Sequence, residues 1–310
     1  MKCAVISGAN GFVGRAVLRE LLDNNYLVYA IIRKGREAFL PKVDNCIPVI
    51  CDLENIKSLA NQINIPKGAI FYHFAWAGAS GQDRANTQLQ LRNVQWTIDT
   101  LCVASELCCS RFVVAGSIME KETIAAAFAQ GNRPGLGYIY GSGKVAAHAM
   151  AKSKAVSLGI DLIWTYITNA YGAGERSARM VNTTILKCIK KESPKFTAGT
   201  QNYDFVYIDD VAKAFRLLGE KGRPYKDYVI GSGSAKPLRE FLLEMQAAVA
   251  PHIDFSFGDV PFTGVNLSLE DYSTQELEQD VGFHTDVSFS EGCKLTYDWL
   301  KESLDSDQNI

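Results

Sequence analysis

The glycine-rich segment at residues 7–14, "SGANGFVG", constrains the fold more than any other part of the sequence. It lies directly between the apolar run "KCAVIS" (2–7) and the periodic run "GRAVLRELLDNN" (14–25). Its glycines, three residues apart, are Gly8, Gly11 and Gly14. Small residues here permit a tight strand-to-helix turn and bring the helix N-terminus close to a pyrophosphate. A glycine turn can also exist without a ligand, but its position between a strand and an amphipathic helix favours dinucleotide binding.

The first half of the chain alternates between apolar runs and helical runs. The predicted strands cover 2–7, 26–32, 46–53, 69–76, 111–117 and 160–167, and the predicted helices cover 14–25, 55–63, 86–108 and 140–159. Continuous apolar strands separated by helices are typical of parallel pairing with helices on both faces. The sequence therefore predicts an α/β fold, a Rossmann-like doubly wound parallel sheet.

The alternation loosens after about residue 168, where glycines, prolines and aromatic residues become denser. The predicted later elements are a strand-to-helix unit at 205–222, a strand at 227–233 and helices at 237–250 and 274–283. We expect a smaller C-terminal lobe to cover the carboxyl edge of the sheet and to bind substrate. The expected division is a dinucleotide-binding domain over 1–168, with 205–231 returning to it, and a substrate-binding lobe formed by 169–204 and 232–310.

Composition argues against several classes of protein. The net charge of -2 over 310 residues disfavours nucleic acid and anionic membranes as partners, and no apolar run is long enough to span a membrane. The eight cysteines include no C-x-x-C and the four histidines are scattered, so we expect no metal site. Cys3 and Cys51 lie in strand-like runs and are predicted to be buried free thiols. Free thiols and a glycine-interrupted N-terminus together predict a soluble cytoplasmic protein.

Three polar residues suggest acid–base chemistry. Tyr140 and Lys144 in "YGSGK" are four residues apart, hence one turn apart on one face of a predicted helix. The ordinary pKa of a phenol is about 10, and a nearby ammonium with a cationic nicotinamide would lower it toward proton exchange with a carbonyl or alcohol. Ser117 ends the strand "RFVVAGS", at the sheet edge where ligands bind. Each residue also has a purely structural interpretation, as a surface pair or a strand-end serine bonded to local backbone.

The order of several short segments carries a family resemblance. The segments are "GANGFVG", "CDL", "HFAWAG", "RNVQWT", "VVAGS", "YGSGK", "NAYGAGE" and "YDFVYIDDVAKAF". In this order the chain resembles the extended short-chain dehydrogenase/reductase family, in the epimerase/dehydratase branch that acts on nucleotide sugars. The resemblance covers roughly residues 2–300. It implies a nucleotide-sugar substrate and an NAD(P) cofactor.

The resemblance also implies roles for particular residues. Asn93 would join Ser117, Tyr140 and Lys144 in a catalytic proton relay. The implied cofactor-binding residues are Gly8, Asn10, Gly11, Phe12, Val13, Gly14, Arg33, Asp52, Leu53, Phe74, Ala75, Tyr140 and Lys144, with Asp52 and Leu53 at the adenine. Ser117, Ile118 and Asn169 would contact the substrate, Asn169 on its diphosphate side. Helices 86–108 and 140–159 would pair across a two-fold axis, so a homodimer is expected.

Departures from the family pattern narrow the reaction. The 4,6-dehydratase branch has an Asp-Glu pair after the serine or threonine, whereas Ile118 and Met119 follow Ser117 here. The cysteine and histidine of the 3,5-epimerase/reductase branch are also missing. A 4-ketoreductase or a 4-epimerase of a nucleotide sugar remains. A non-catalytic NADP-sensing protein is a further alternative, but such proteins typically lose the Tyr-Lys pair that this chain keeps.

Arg33 bears on the choice of cofactor. It lies nineteen residues after Gly14 (33 − 14), close to the roughly twenty expected for the residue that contacts the adenosine ribose. A carboxylate there suits NAD, whereas a guanidinium followed by Lys34 suits the 2′-phosphate of NADP. A solvated basic loop is the structural alternative. The sequence thus predicts NADP(H), with NAD(H) possible, and net reduction of a 4-keto-(6-deoxy)hexose nucleotide ahead of epimerisation.

Overall fold

Seven parallel strands form the central sheet of the computed structural model, which describes residues 2–307, with side chains to residue 305. The strands of the protein are β1 (Lys2–Ser7), β2 (Tyr26–Ile32), β3 (Cys46–Ile50), β4 (Ile70–His73), β5 (Arg111–Ser117), β6 (Asp161–Ile167), β7 (Asn169–Tyr171), β8 (Lys195–Phe196), β9 (Asn202–Tyr203), β10 (Phe205–Tyr207), β11 (Asp227–Ile230), β12 (Lys236–Pro237) and β13 (Ser256–Phe257). The order in the central sheet is β3-β2-β1-β4-β5-β6-β11. The predicted Rossmann-like, doubly wound α/β fold is confirmed.

Helices cover both faces of this sheet. They are α1 (Phe12–Asp23), α2 (Thr87–Glu106), α3 (Met119–Ala127), α4 (Tyr138–Leu158), α5 (Met180–Ile189), α6 (Ile208–Lys221), α7 (Leu238–Val249), α8 (Gln275–Val281) and α9 (Phe289–Asp307). Helices α1 and α6 pack together on one face, and α2 and α4 pack together on the other. Alternate residues of β1 serve the two layers, because Ala4 and Ile6 join the first core and Cys3 and Val5 the second. Burial on both faces explains why these strands are continuously apolar.

The long helix α4 is shaped by small residues. Ala147, Ala151 and Ala155 are fully buried at intervals of four, which gives one face a narrow surface that packs closely on α2 and the sheet. The helix ends at Gly159, whose φ of +67° is the left-handed conformation that glycine adopts most easily. This packing fixes the position of Tyr140 and Lys144 in its first turns.

Some predicted elements differ from those observed. The predicted helix at 55–63 is a 3-10 segment, Ile56–Asn61, and three other 3-10 segments are Glu37–Phe39, Gln82–Ala85 and Leu269–Tyr272. The predicted strands at 46–53, 69–76 and 227–233 end earlier, at Ile50, His73 and Ile230, so the residues after them are sheet-edge loops. Helices α3 and α9 were not predicted, and of α5 only the basic end near 186–195 was expected to be helical.

The second half of the chain adds small sheets beside the central one. Strand β7 pairs with β10 and β8 with β13, both parallel, and β9 pairs with β12 antiparallel. Of the segment 205–231, β11 joins the central sheet next to β6 and α6 packs on α1, whereas β10 stays outside the sheet. A single apolar cluster runs from β1 through α6 to Phe241 and Phe289. The division into two domains stays a prediction.

The cysteines and the helices bear on two further expectations. All eight cysteines are free, and Cys3 and Cys51 are buried, as predicted. Among residues 2–307, no helix combines the length and the apolar character that crossing a bilayer requires.

Candidate active site

The carboxyl ends of the central strands bring the predicted site residues to one edge. Ser7 at the end of β1 pairs with Ile31 of β2 on one side and with His73 of β4 on the other. Chain order reverses between β1 and β4, which is where ligands bind in open α/β sheets. The glycine turn follows β1 at this point, and Ser117 ends β5 two strands away.

The glycine turn is packed too closely for side chains. Gly8 has a φ of +74°, and a Cβ there would lie 2.8 Å from the amide nitrogen of Ala75. A Cβ on Gly14 would lie 2.2 Å from the carbonyl oxygen of Gly8. Helix α1 begins directly after Gly11, so the first-turn N–H groups, including those of Phe12 and Val13, have no acceptor within the helix. This cradle fits the pyrophosphate of a dinucleotide.

The other predicted cofactor residues lie along the same edge. Arg33 is exposed directly after β2, and the amide of Ala9 in the glycine turn bonds the neighbouring Ile31 carbonyl at 3.4 Å. Phe74 donates its amide to the Ser7 carbonyl at 3.1 Å. Leu53 is half-buried, whereas the exposed Asp52 accepts a bond from the Asn55 amide at 2.9 Å. Asn10 is half-exposed in the turn.

A buried histidine beneath the glycine turn was not predicted. His73 is 2% exposed, and its Nδ1 lies 2.7 Å from the Ser7 hydroxyl and its Nε2 3.3 Å from the Thr97 hydroxyl. Burial, aided by the charge of Lys144, lowers the pKa of His73 to about 3. The neutral ring therefore ties β1, β4 and α2 together below the cofactor cradle.

A cleft of about 310 Å³ opens at the ends of β5 and β7. Four predicted residues line it, namely Ser117, Ile118, Tyr140 and Asn169. Asn169 is held by bonds from its amide groups to the Asp204 carbonyl, and Ile118 packs against Leu267 and Tyr272. The structure therefore brings the proposed acid and the strand-end serine to one cavity large enough for part of a sugar nucleotide.

Burial dominates the environment of Tyr140. The residue is 8% exposed, and the guanidinium carbon of Arg84 lies 4.7 Å from its ring centroid. Burial raises the pKa of Tyr140, while the charges of Arg84 and Arg179 and hydrogen bonding to Ser117 lower it. The lowered pKa expected from Lys144 is not what the chain alone produces, because the ammonium lies 6.0 Å from the ring centroid and points elsewhere.

Lys144 is an almost fully buried cation. Its ammonium donates to the Ala115 carbonyl at 2.7 Å and lies 3.7 Å from the ring centroid of Trp76. Burial lowers the pKa of Lys144 to about 7, and the Glu120 carboxylate opposes this shift. One face of this side chain is thus held by the strand β5 and the loop after β4.

Asn93 is bound to the loop after β4. It is 1% exposed, and its side-chain oxygen accepts from the Ala77 amide at 2.9 Å while its side-chain nitrogen donates to the Ala77 carbonyl at 2.8 Å. These bonds fix the loop that follows Ala75 against α2. The role of Asn93 in a proton relay stays a prediction.

Charged residues in the cleft were missed by sequence reasoning. They are Arg84, Glu122, Glu175 and Arg179. Burial raises the pKa of Glu122 to about 7, and the buried Nε of Arg84 lacks a hydrogen-bond partner among the described residues. Arg84 lies in the 3-10 segment Gln82–Ala85, between the predicted strand at 69–76 and the predicted helix at 86–108, and no sequence pattern marks it. Glu122 was missed because α3 itself was not predicted.

Comparison with known proteins identifies the family. The family model described as the NAD dependent epimerase/dehydratase family matches residues 4–231, more than half of the chain. The chain belongs to this family. As a member it is an enzyme of the extended short-chain dehydrogenase/reductase type, which confirms the resemblance noted in its sequence.

Individual members of the family show the range of its reactions. The CDP-abequose synthase of Salmonella typhimurium is 23% identical over 83% of this chain and 84% of its own length. The dTDP-6-deoxy-L-talose 4-dehydrogenase (NAD(+)) of Aggregatibacter actinomycetemcomitans is 27% identical over 80% of this chain and 92% of its own length. The UDP-glucuronic acid 4-epimerase of Bacillus cereus, solved with UDP-glucuronic acid and NAD, superposes with a TM-score of 0.77 at 20% identity, covering 98% of this chain and all of the other.

Proposed function

We propose that the protein reduces a 4-keto-(6-deoxy)hexose nucleotide with NADPH. The observation that carries this proposal is the meeting of Ser117 and Tyr140 in one cleft, with Lys144 one turn further along α4. Ile118 and Met119 occupy the positions where an eliminating acid–base pair would follow the serine. Hydride and proton transfer at a single carbon is then the chemistry that these residues support.

The residues can be assigned to steps of a ketone reduction. A bound nicotinamide cofactor would supply the hydride that C4 of the sugar accepts. Tyr140 donates its phenolic proton to the carbonyl oxygen, which gains charge as C4 is reduced, so hydride and proton together give the alcohol. The Ser117 oxygen accepts the Met119 amide at 3.2 Å, so its single hydrogen can turn from Tyr140 to the same substrate oxygen. The charges of Arg84 and Arg179 favour the phenolate that remains, and the Lys144 ammonium, 6.0 Å from the ring centroid, adds a longer-range positive charge.

Two guanidinium groups in the cleft, of which Arg179 is paired with Glu175 at 3.5 Å, support a nucleotide-linked substrate. Arg84 and Arg179 line the same cavity as Asn169, and guanidinium groups bind diphosphate through paired charge-assisted hydrogen bonds. The names of the relatives above all contain a nucleotide sugar. We infer that the substrate carries a nucleoside diphosphate, with the sugar toward Tyr140.

The preference for NADPH rests on Arg33. The side chain is exposed directly after β2, whose Ile31 carbonyl accepts the amide of Ala9 in the glycine turn, where a ribose phosphate would lie. The structural relative solved with a cofactor contains NAD, and another relative is named for NAD(+). The comparisons thus support binding of NAD(H) as well, and Arg33 is the reason to place NADP(H) first.

A nucleotide-sugar 4-epimerase with tightly held NAD is the second candidate. It needs the same serine, tyrosine and lysine, and the fold superposes along its full length on a 4-epimerase. A non-catalytic NADP sensor is disfavoured because Ser117, Tyr140 and Lys144 are all kept.

The eight free thiols fit the reducing cytoplasm as the place of action.

Thermal unfolding with a panel of nucleotides tests the substrate class. With NADP present, UDP, dTDP, GDP and CDP are compared, because a ligand that binds only the folded form raises its Tm. One diphosphate is expected to raise Tm more than the others and more than its monophosphate. The proposal is contradicted if none of the four changes Tm while NADP does. An Arg179→Gln variant should lose the nucleotide effect and retain the effect of NADP.

A further inference from the structure

A buried carboxylate lies directly behind Ser117. Glu120, in the first turn of α3, has a side chain that is 1% exposed. Its Oε1 accepts the backbone amide of Ser117 at 2.9 Å and the indole N–H of Trp164 at 3.0 Å. Gly116 leaves room for it, since a Cβ there would lie 2.6 Å from this oxygen. The carboxylate is therefore built into the strand end that presents the serine.

A histidine bridges Glu120 to a second carboxylate. His148 Nδ1 lies 3.3 Å from the other Glu120 oxygen, and His148 Nε2 lies 3.2 Å from Asp227 on β11. The imidazole stacks on Trp164 with ring centroids 4.4 Å apart and planes parallel to within 1°. Lys152 donates to both oxygens of Asp227 at 3.2 Å, which extends the network to a half-exposed lysine.

The network and the catalytic pair share one helix face. Tyr140, Lys144, His148 and Lys152 follow one another at intervals of four along α4, so they form a row from the cleft to the surface. Glu120 lies against this row, since its Oε2 is 3.3 Å from Nδ1 of His148, one turn from Lys144. Its negative charge opposes the lowering of the Lys144 pKa by burial. A change at Glu120 therefore reaches the site both through the Ser117 backbone and through charge.

We propose that Glu120 is a positioning residue for the reaction inferred above: it fixes Ser117 through its backbone amide and, anchored by Trp164 and His148, places a negative charge beside the row on α4 that carries Lys144. This inference rests on the proposed function only for the part that concerns turnover. Lys144 needs such a partner because burial favours its uncharged form. An uncharged lysine would lose its ability to stabilise the phenolate of Tyr140.

The groups that face His148 come from four elements. They are Glu120 on α3, Asp227 on β11, Lys152 on α4 and the hydroxyl of Tyr166 on β6, which lies 3.5 Å from Nδ1. Burial lowers the pKa of His148, but its bonds to the two carboxylates outweigh this and raise it. In its protonated form the imidazole would balance the negative charge of Glu120.

Two substitutions at Glu120 distinguish its hydrogen bond to the Ser117 amide from its negative charge. Glu120→Gln keeps an oxygen that can accept from Ser117 and Trp164, removes the negative charge, and replaces the oxygen that faces His148 by an NH2 donor. Glu120→Ala removes both the hydrogen bond and the charge. Asp280→Asn is the control, because the side chain of Asp280 is also only 2% exposed and its partners Arg223, Lys226 and Tyr228 lie outside the cleft. Melting curves establish which variants fold before any other measurement is made.

Two measurements then test the proposal. Titration of Lys144 by NMR with ε-carbon-labelled lysine, assigned with Lys144→Arg, should give a pKa roughly one unit lower in Glu120→Gln and unchanged in Asp280→Asn. In Glu120→Gln, kcat should begin to fall at a lower pH on the alkaline side of its profile, with KM little changed. In Glu120→Ala, kcat should be lower by about tenfold or more at every pH.

The NMR titration needs no substrate, so it decides the role of Glu120 even if no nucleotide sugar is turned over. Failure of the wild type to act on any 4-keto sugar nucleotide overturns the proposed function alone. An unchanged Lys144 titration in Glu120→Gln, or an equal shift in Asp280→Asn, overturns the role of Glu120. A normal kcat profile in Glu120→Gln with a shifted lysine overturns its part in turnover.

Discussion

At Tyr140 and Lys144, burial favours the neutral form of both side chains. It raises the pKa of the phenol and lowers that of the ammonium. A tyrosine that keeps its proton at neutral pH is an acid ready to protonate a carbonyl, which is the direction of reduction. The cationic neighbours Arg84 and Arg179 then favour the phenolate once the proton has left.

The buried Lys144 predicts a pH-dependent cost in stability. Its folded-state pKa of about 7 lies below the ordinary lysine pKa. At pH values between these two pKa values the unfolded chain binds more protons than the folded chain, so the free energy of unfolding rises with pH. Lys144→Met should therefore be more stable than wild type at about pH 6, with a difference that vanishes as pH nears the ordinary lysine value. Urea unfolding at several pH values measures this. The exposed Lys67→Met is the control, and a Lys144→Met protein that is less stable at low pH would contradict the account.

Arg33 predicts the cofactor preference. Wild type should favour NADPH over NADH by about tenfold or more, since a charge-assisted bond is worth roughly 1.5–3 kcal/mol. Arg33→Asp should lose or reverse this preference, because a carboxylate repels the 2′-phosphate. Comparison of kcat/KM for the two cofactors gives the answer. Lys67→Asp makes the same charge change just before β4, at the amino ends of the strands. It should leave kcat/KM for NADPH and for NADH unchanged. Equal use of both cofactors by wild type would count against the assignment.

At the scale of elements, the glycine turn and α1 form one unit. Gly14→Ala places a methyl group 2.2 Å from the Gly8 carbonyl oxygen, so the helix must move away from the turn. We expect a loss of about 1–3 kcal/mol in stability and at least a severalfold loss of cofactor affinity. Gly135→Ala is the control, because a Cβ there meets nothing within 4 Å and its φ needs no glycine. Calorimetric titration with NADP+ and urea unfolding check both effects. Unchanged affinity in Gly14→Ala would remove the turn from the cofactor site.

The sequence predicts those helices and strands whose buried residues are apolar. Strand β1 is apolar on both faces because Ala4 and Ile6 enter one core and Val5 the other. Helix α3 escaped prediction because its buried positions include Glu120 and Thr123, so the usual apolar periodicity is absent. Its first turn holds the carboxylate behind Ser117, so the missed helix carries one of the missed parts of the site.

The candidate site was predictable where a residue belongs to a local sequence pattern, such as a strand end or a helical spacing. Ser117 and Tyr140 were found from a strand end and a helical spacing. Arg84 and Arg179 were not, because the cleft joins segments about a hundred residues apart, and no local pattern reports that contact. The pairing of β10 with β7 outside the central sheet is non-local in the same way.

At the scale of the whole molecule, the outer face of α2 and α4 predicts a homodimer. Exposed apolar side chains on it include Leu91, Met150 and Val156. Such residues are covered when two copies pair. Light scattering should give twice the chain mass, and Met150→Glu should lower it toward the monomer. Leu243→Glu, an equally apolar exposed position on α7, should leave the mass unchanged. A monomeric wild type at micromolar concentration would contradict the prediction.

Transfer of deuterium from the cofactor tests the central claim most directly. Wild type is incubated with a nucleotide-linked 4-keto-6-deoxyhexose and NADPH deuterated at the transferable position of its nicotinamide. The account predicts one deuterium at C4 of the product alcohol, one NADP+ formed per product, and loss of this turnover in Tyr140→Phe with NADPH binding retained. Interconversion of two nucleotide sugars without net oxidation of NADPH, or near-normal turnover in Tyr140→Phe, would contradict it.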